Sequence, residues 1–360
     1  MTADKPIPGA HTQAEILSQP WCWRECFQAL DEKDQLGQTC IRFPARADWL
    51  FVGCGTSYYI ALAAAASWTH LTGMRARAVP ASDLILFPHL VLSGSSLCQP
   101  VLISRSGHTS EVLKAAEYLE VKSNIRTLAI SCATHQPLEE ICTATLYLLP
   151  ADEQSTVMTR SFSSMLLGLQ ALAAAYGHQA SFAEALRGLP NQAQAALDPL
   201  PARLQDFVQA NEFADYVFLG QGPLFGLANE CMLKVKEMSR SYAQCFHTLE
   251  FRHGPKAIVS PETLITFLLS ETGFEAETEV LEEVKGLGGT TLVVANQADG
   301  AVRSAADFPV ELNLDLPEYA RLAAFVFAGQ LLGYFTGLKK GYDPDRPRNL
   351  SRVVILNDKD

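Results

Sequence analysis

One long stretch of this chain is written twice. Ala47-Asp48-Trp49-Leu50-Phe51-Val52-Gly53-Cys54-Gly55 returns as Ala214-Asp215-Tyr216-Val217-Phe218-Leu219-Gly220-Gln221-Gly222. Leu102-Ile103-Ser104-Arg105-Ser106-Gly107 returns as Leu268-Leu269-Ser270-Glu271-Thr272-Gly273. A third segment, Thr127-Leu128-Ala129-Ile130, matches Thr291-Leu292-Val293-Val294, and a fourth, Leu146-Tyr147-Leu148-Leu149, matches Val310-Glu311-Leu312-Asn313. Each half closes on an apolar helix, Phe162 to Tyr176 and Tyr319 to Thr336. A βαβα unit has been duplicated. Short apolar strands alternating with helical stretches predict a parallel sheet covered on both faces, hence two tandem doubly wound α/β domains. Ligands of such sheets bind beyond the carboxyl ends of the strands, where the Gly- and Ser-rich turns fall.

A chain of 360 residues, 48 % hydrophobic, is long enough for two such cores. The expected layout is a helical segment over 1–45, a first domain over 46–190, a second over 204–342 and a tail over 343–360. The stretch Leu189 to Arg203, with Pro190, Pro199 and Pro201, reads as the link between halves.

The turn Ser104-Arg105-Ser106-Gly107-His108-Thr109-Ser110 follows the buried strand Pro100 to Ile103 and opens a helical stretch at Glu111. Small hydroxyls and a glycine at a helix N-terminus, where backbone N–H groups are unpaired and the dipole is positive, cradle a phosphate dianion. Helix capping accounts for one such hydroxyl. Four together favour phosphate binding, with capping as the alternative.

Glu230, Lys234 and Glu237 recur at i, i+4 and i+7, so they share one helical face. Surface salt bridging produces the same spacing. The loop that follows, Glu250-Phe251-Arg252-His253-Gly254-Pro255, adds a histidine in a Gly-Pro turn. Carboxylate, amine and imidazole are the groups that move protons beside a carbonyl.

Other classes fit less well. The Gly53-Cys54-Gly55 turn lacks the third glycine of a dinucleotide fingerprint, so no nicotinamide cofactor is expected. The nine cysteines contain no CxxC pair and read as free thiols of a reducing compartment, with no metal site. A net charge of −11 without a basic run argues against nucleic acid. The longest apolar run, near Ile60 to Trp68, is too short to cross a bilayer, and the N-terminus lacks a signal-peptide pattern. A cytoplasmic location is expected.

GCGTS at Gly53 to Ser57, SRSGHT at Ser104 to Thr109, LKVKE at Leu233 to Glu237, FRHGPK at Phe251 to Lys256 and DPDRPRNL at Asp343 to Leu350 together resemble the sugar isomerase (SIS) family. Within it the chain is similar to the isomerase half of glucosamine-6-phosphate synthase and to the tagatose-6-phosphate ketose/aldose isomerase group, which includes amino-sugar-6-phosphate deaminases. The resemblance implies flavodoxin-like SIS domains and an enzyme of hexose or hexosamine 6-phosphates, with a phosphosugar-binding regulatory module as the alternative. It implies phosphate contacts from Ser104, Arg105, Ser106 and Thr109, and sugar contacts from Thr56 and Ser57. Glu237 matches the base that moves a proton between C1 and C2, Lys234 and Glu230 match residues assisting ring opening and charge balance, and His253 matches a histidine given across a homodimer. No glutaminase-like stretch precedes the first repeat, so ammonia is not expected to be made here from glutamine. Three positions depart from the synthase pattern: Arg105 replaces a glutamine, Met158 a serine, and Arg352 the tail lysine. A guanidinium cannot serve as a nucleophilic amine, so Arg352 is expected to lid the site instead.

Overall fold

The computed structural model describes residues 7–44, 48–92 and 98–356. The expected boundary at 45/46 and the last four residues of the tail lie outside the described residues. Two compact units form. One comprises Met1–Pro20, Glu153–Thr159 and Asn191–Leu350; the other comprises Trp21–Asp152, Arg160–Pro190 and Ser351–Asp360. Both the N-terminal segment and the tail therefore contribute to both units.

The earlier repeat forms a five-stranded sheet of β1 (Asp48–Gly53), β2 (Arg75–Pro80), β3 (Cys98–Ile103), β4 (Leu128–Ser131) and β5 (Ala144–Tyr147), in the order β2-β1-β3-β4-β5. The later repeat forms β6 (Asp215–Gly220), β7 (Tyr242–Phe246), β8 (Thr263–Leu268), β9 (Thr290–Ala295) and β10 (Phe308–Glu311), in the order β10-β9-β8-β6-β7. Read from the other edge, that is the same order. Every strand pair is parallel. This is the doubly wound arrangement expected from the repeats, in the flavodoxin-like form the resemblance implies, with β2 and β7 added to the four repeated strands of each half. The central strands are buried throughout because both faces are covered: all six residues of β3 and of β8 are buried, Gln99, Thr263 and Thr266 included.

The register refines the repeat. Ser104 N donates to Ile130 O at the end of β3, and Leu269 N donates to Val294 O at the end of β8. The second turn therefore runs one residue further before its serine.

The stretch Leu189 to Arg203, read as the link between halves, contains the change of unit at Pro190/Asn191 and is helical. It lies in helices Ala180–Leu197 and Leu200–Ala210, interrupted only at Asp198 and Pro199. Leu186, Leu189, Ala193 and Leu197 bury one face, and that burial outweighs the hydrogen bond lost at Pro190. The segment Glu318–Lys339 is long and apolar enough to cross a membrane, which the search for uninterrupted apolar runs overlooked. Its apolar window is 89 % buried inside the protein, as a core helix would be.

Candidate functional site

The turn after β3 collects the expected phosphate ligands in one unit. Ser104 and Arg105 are buried, Ser106 and Thr109 half-buried. Ser104 Oγ accepts the Gly107 N–H at 3.1 Å and lies 3.3 Å from Thr109 Oγ1, while Ser106 Oγ accepts the His108 N–H at 3.2 Å. Gly107 sits at φ +67°, and a Cβ there would strike Gln136 Oε1 at 1.8 Å, so only glycine keeps this turn. Thr109 occupies the N-cap of helix Ser110–Glu117 without capping it through its side chain. Capping therefore does not explain that hydroxyl.

The tail reaches the same turn. Arg105 Nη2 donates to Arg352 O at 3.0 Å, Ser110 N donates to Val354 O at 3.2 Å, and Leu356 N donates to Ser110 Oγ at 2.9 Å. Arg352 turns its own guanidinium to Asp152 at 2.5 Å. Tail carbonyls thus sit on donors that an oxoanion would use, and Arg352 acts here through its backbone. Thr56 and Ser57, both buried, open helix Thr56–Thr72 beyond β1 in this same unit. A Cβ on Gly53 would meet the Ser57 backbone at 2.6 Å, which explains why the strand and helix approach so closely.

The acid–base cluster belongs to the other unit, on helix Leu224–Ser239. Lys234 is fully buried, with Nζ 2.5 Å from Glu237 Oε2 and 3.3 Å from Glu230 Oε1. Glu230 is also fully buried, whereas the Glu237 side chain keeps 18 % of its surface exposed. Burial by itself would pull the Lys234 ammonium down, but the two carboxylates together hold it above its ordinary value. Surface salt bridging is excluded for this triad. Lys234 stands ten residues into the helix, about 15 Å from its start at 1.5 Å per residue, so the cluster does not sit at the glycine turn of its own sheet.

A glycine stripe brings a second helix against the backbone of this one. Gly329, Gly333 and Gly337 recur every four residues along helix Val326–Lys339, and added Cβ atoms there would strike Cys231 Sγ at 2.3 Å, Lys234 O at 2.8 Å and Met238 O at 2.4 Å. Only a helix without side chains along that stripe can approach so near.

His253 follows the short helix Glu250–Arg252 and is exposed. Its neighbour Phe251 joins the apolar cluster of Val217, Leu219, Ile265, Phe267, Val280 and Leu281. That cluster occupies one face of the sheet; helix Leu224–Ser239 packs on helix Val326–Lys339 over the other. His247 escaped the sequence reading. It stacks on Phe225 with ring centroids 3.7 Å apart, its Nδ1 is buried with no hydrogen-bond partner, and burial pushes its imidazole below the usual range. Nothing in local spacing marks it, because the stack joins the end of β7 to the first turn of another element.

Residues 46–175 and 215–332 each match the SIS domain. This chain belongs to the SIS domain family. The isomerizing glutamine–fructose-6-phosphate aminotransferase of Xylella fastidiosa is 29 % identical over an alignment covering 96 % of this chain and 58 % of that relative. The chain thus spans less than two thirds of the length of such relatives. The crystal structure of glucosamine-6-phosphate deaminase from Thermotoga maritima is 30 % identical, with a TM-score of 0.78 over 96 % of this chain and all of that one. Tagatose-6-phosphate ketose/aldose isomerase of Escherichia coli, at 22 % identity, has the same fold, with a TM-score of 0.83 over 99 % of this chain and all of that one.

Proposed function

We propose that this SIS protein is a cytoplasmic enzyme that isomerises a hexose or hexosamine 6-phosphate by moving a proton between C1 and C2 of the open-chain sugar; where C2 carries an amine, water then hydrolyses the resulting C2 imine to the ketose and ammonia. The observation that carries the reading is Lys234, fully buried between two carboxylates. Desolvating three charged groups is costly, and a module that only binds phosphosugars gains nothing from the expense. In this reading the Ser104 to Thr109 turn and Arg105 hold the phosphate. Glu237, the carboxylate that keeps solvent access, takes the proton from the carbon beside the carbonyl as the carbonyl oxygen is protonated, and returns it to the former carbonyl carbon as the neighbouring hydroxyl or amine gives up its own proton. Lys234 and Glu230 set its charge and assist ring opening, and Thr56 and Ser57 bond the sugar hydroxyls. The nine free thiols fit a reducing compartment.

The test is to offer glucosamine, galactosamine, fructose, tagatose and fructosamine 6-phosphates while assaying ketose and ammonia separately. Turnover of one or more supports the reading; tight binding with no turnover of any would assign a regulatory module. Replacing Ser104 and Ser106 together by alanine should weaken phosphosugar binding by about 2–4 kcal/mol, taking charge-assisted bonds at about 1.5–3 each with incomplete additivity. Calorimetry finding equal affinity for glucosamine and its 6-phosphate in the unsubstituted protein would remove the phosphate role.

The resemblance of the FRHGPK loop to the SIS family, with His253 exposed, leads us to propose a homodimer in which each chain lends His253 to its partner's site. Glu237→Gln and His253→Ala should each be nearly inactive alone. Re-associated together, half of the dimers are mixed and each mixed dimer has one intact site, so activity should return to about a quarter of the unsubstituted level. Demonstrated subunit exchange without recovery would place His253 in its own chain's site or outside the chemistry.

A further inference from the structure

The second repeat keeps a counterpart of the phosphate turn, Ser270-Glu271-Thr272-Gly273, between β8 and helix Phe274–Gly286. Ser270 Oγ accepts the Gly273 N–H at 2.8 Å, just as Ser104 Oγ accepts that of Gly107. Its remaining donors are already spent on carboxylates of the same unit. Glu318 Oε1 accepts the N–H of Glu271 at 2.7 Å and of Thr272 at 3.4 Å, while Glu318 Oε2 accepts the Thr272 hydroxyl at 2.8 Å. Glu277, buried below, accepts the Ser270 N–H at 3.3 Å and the Ser270 hydroxyl. Two backbone N–H groups and a hydroxyl at a helix N-terminus are the donor set an oxoanion takes, and one carboxylate fills it.

Arg321 adds an independent observation. It stands three residues after Glu318 and is 2 % exposed, with Nη2 2.6 Å from Glu271 Oε2. Its Nε is buried with no hydrogen-bond partner. A cavity of about 310 Å³ opens beside the turn, lined by Glu271, Phe274, Asn296 and Asp299 among others. Burial pushes the Glu277 carboxyl above the usual range, and the Glu318 charge adds to that, so Glu277 repels an incoming anion less than a free carboxylate would.

We infer that the second turn is a phosphate-binding turn whose resident anion is the chain's own Glu318 carboxylate. The native chain then offers one phosphosugar turn rather than two, and the second takes a tetrahedral oxoanion once that carboxylate is removed. The probe is inorganic phosphate, titrated by calorimetry against four proteins: unsubstituted, Ser104→Ala with Ser106→Ala, Glu318→Ala, and the triple variant. Glu318→Ala should bind one more phosphate per chain than the unsubstituted protein, and the triple variant should keep that one while the double variant binds none. If the first turn is not a phosphate site, the unsubstituted and double-variant proteins behave alike, yet the gain with Glu318→Ala persists. Glu318→Gln, which refills the turn with a neutral oxygen, should gain none. Should Glu318→Ala melt early, phosphate at constant ionic strength should raise its melting temperature by several degrees more than that of the unsubstituted protein. No added phosphate and no such rise would overturn the inference.

Discussion

Glu237→Gln is expected to lower turnover by about 10²–10⁴-fold, the usual worth of a general base, while phosphosugar affinity changes little. The amide keeps the size of the carboxylate and still offers an oxygen to Lys234 Nζ, now 2.5 Å from Glu237 Oε2, so packing is preserved and only the proton acceptor is lost. Single-turnover kinetics beside equilibrium binding separates the two effects. A loss below about tenfold would move the proton transfer to another residue, and His247, with its partnerless Nδ1, would be examined first.

Lys234→Met should cost about 3–5 kcal/mol of stability, because it strands the fully buried Glu230 carboxylate without its cation. All four tryptophans, at 21, 23, 49 and 68, lie in the other unit, so their fluorescence does not watch this one. Amide hydrogen exchange along helix Leu224–Ser239 does. Adding Glu230→Gln to Lys234→Met should restore more than half of the loss, since a neutral side chain no longer needs the ammonium. A single-variant cost under about 1 kcal/mol would mean that water reaches the cluster and screens it.

These two expectations rest on different depths of information. The parallel sheets, four strands of each and the paired turns were legible in the sequence because duplication and the short, mostly apolar strands of a sheet covered on both faces are local patterns, whereas β2 and β7 carry no such repeat. The Ser104 to Thr109 turn was legible for the same reason: a strand, a run of hydroxyls and a helix start follow one another directly. The shared face of Glu230, Lys234 and Glu237 follows from 3.6 residues per turn.

Spacing could not say whether that face meets water or protein. Burial of Glu230 and Lys234 in the folded unit decided it, and the glycine stripe of Gly329, Gly333 and Gly337, about a hundred residues away, lets a second helix approach the backbone of theirs. The helical course of Leu189 to Arg203 escaped a reading that weighs prolines locally, because burial of Leu186, Leu189, Ala193 and Leu197 supplies more than Pro190 removes. Likewise, Ser270-Glu271-Thr272-Gly273 repeats the earlier turn in sequence, yet Glu318 fills it from 46 residues away. Sequence by itself thus determined the periodic elements and the chemical types at their turns. Tertiary structure alone decided which charges are desolvated and which donors are already taken, because both depend on groups that approach from distant parts of the chain.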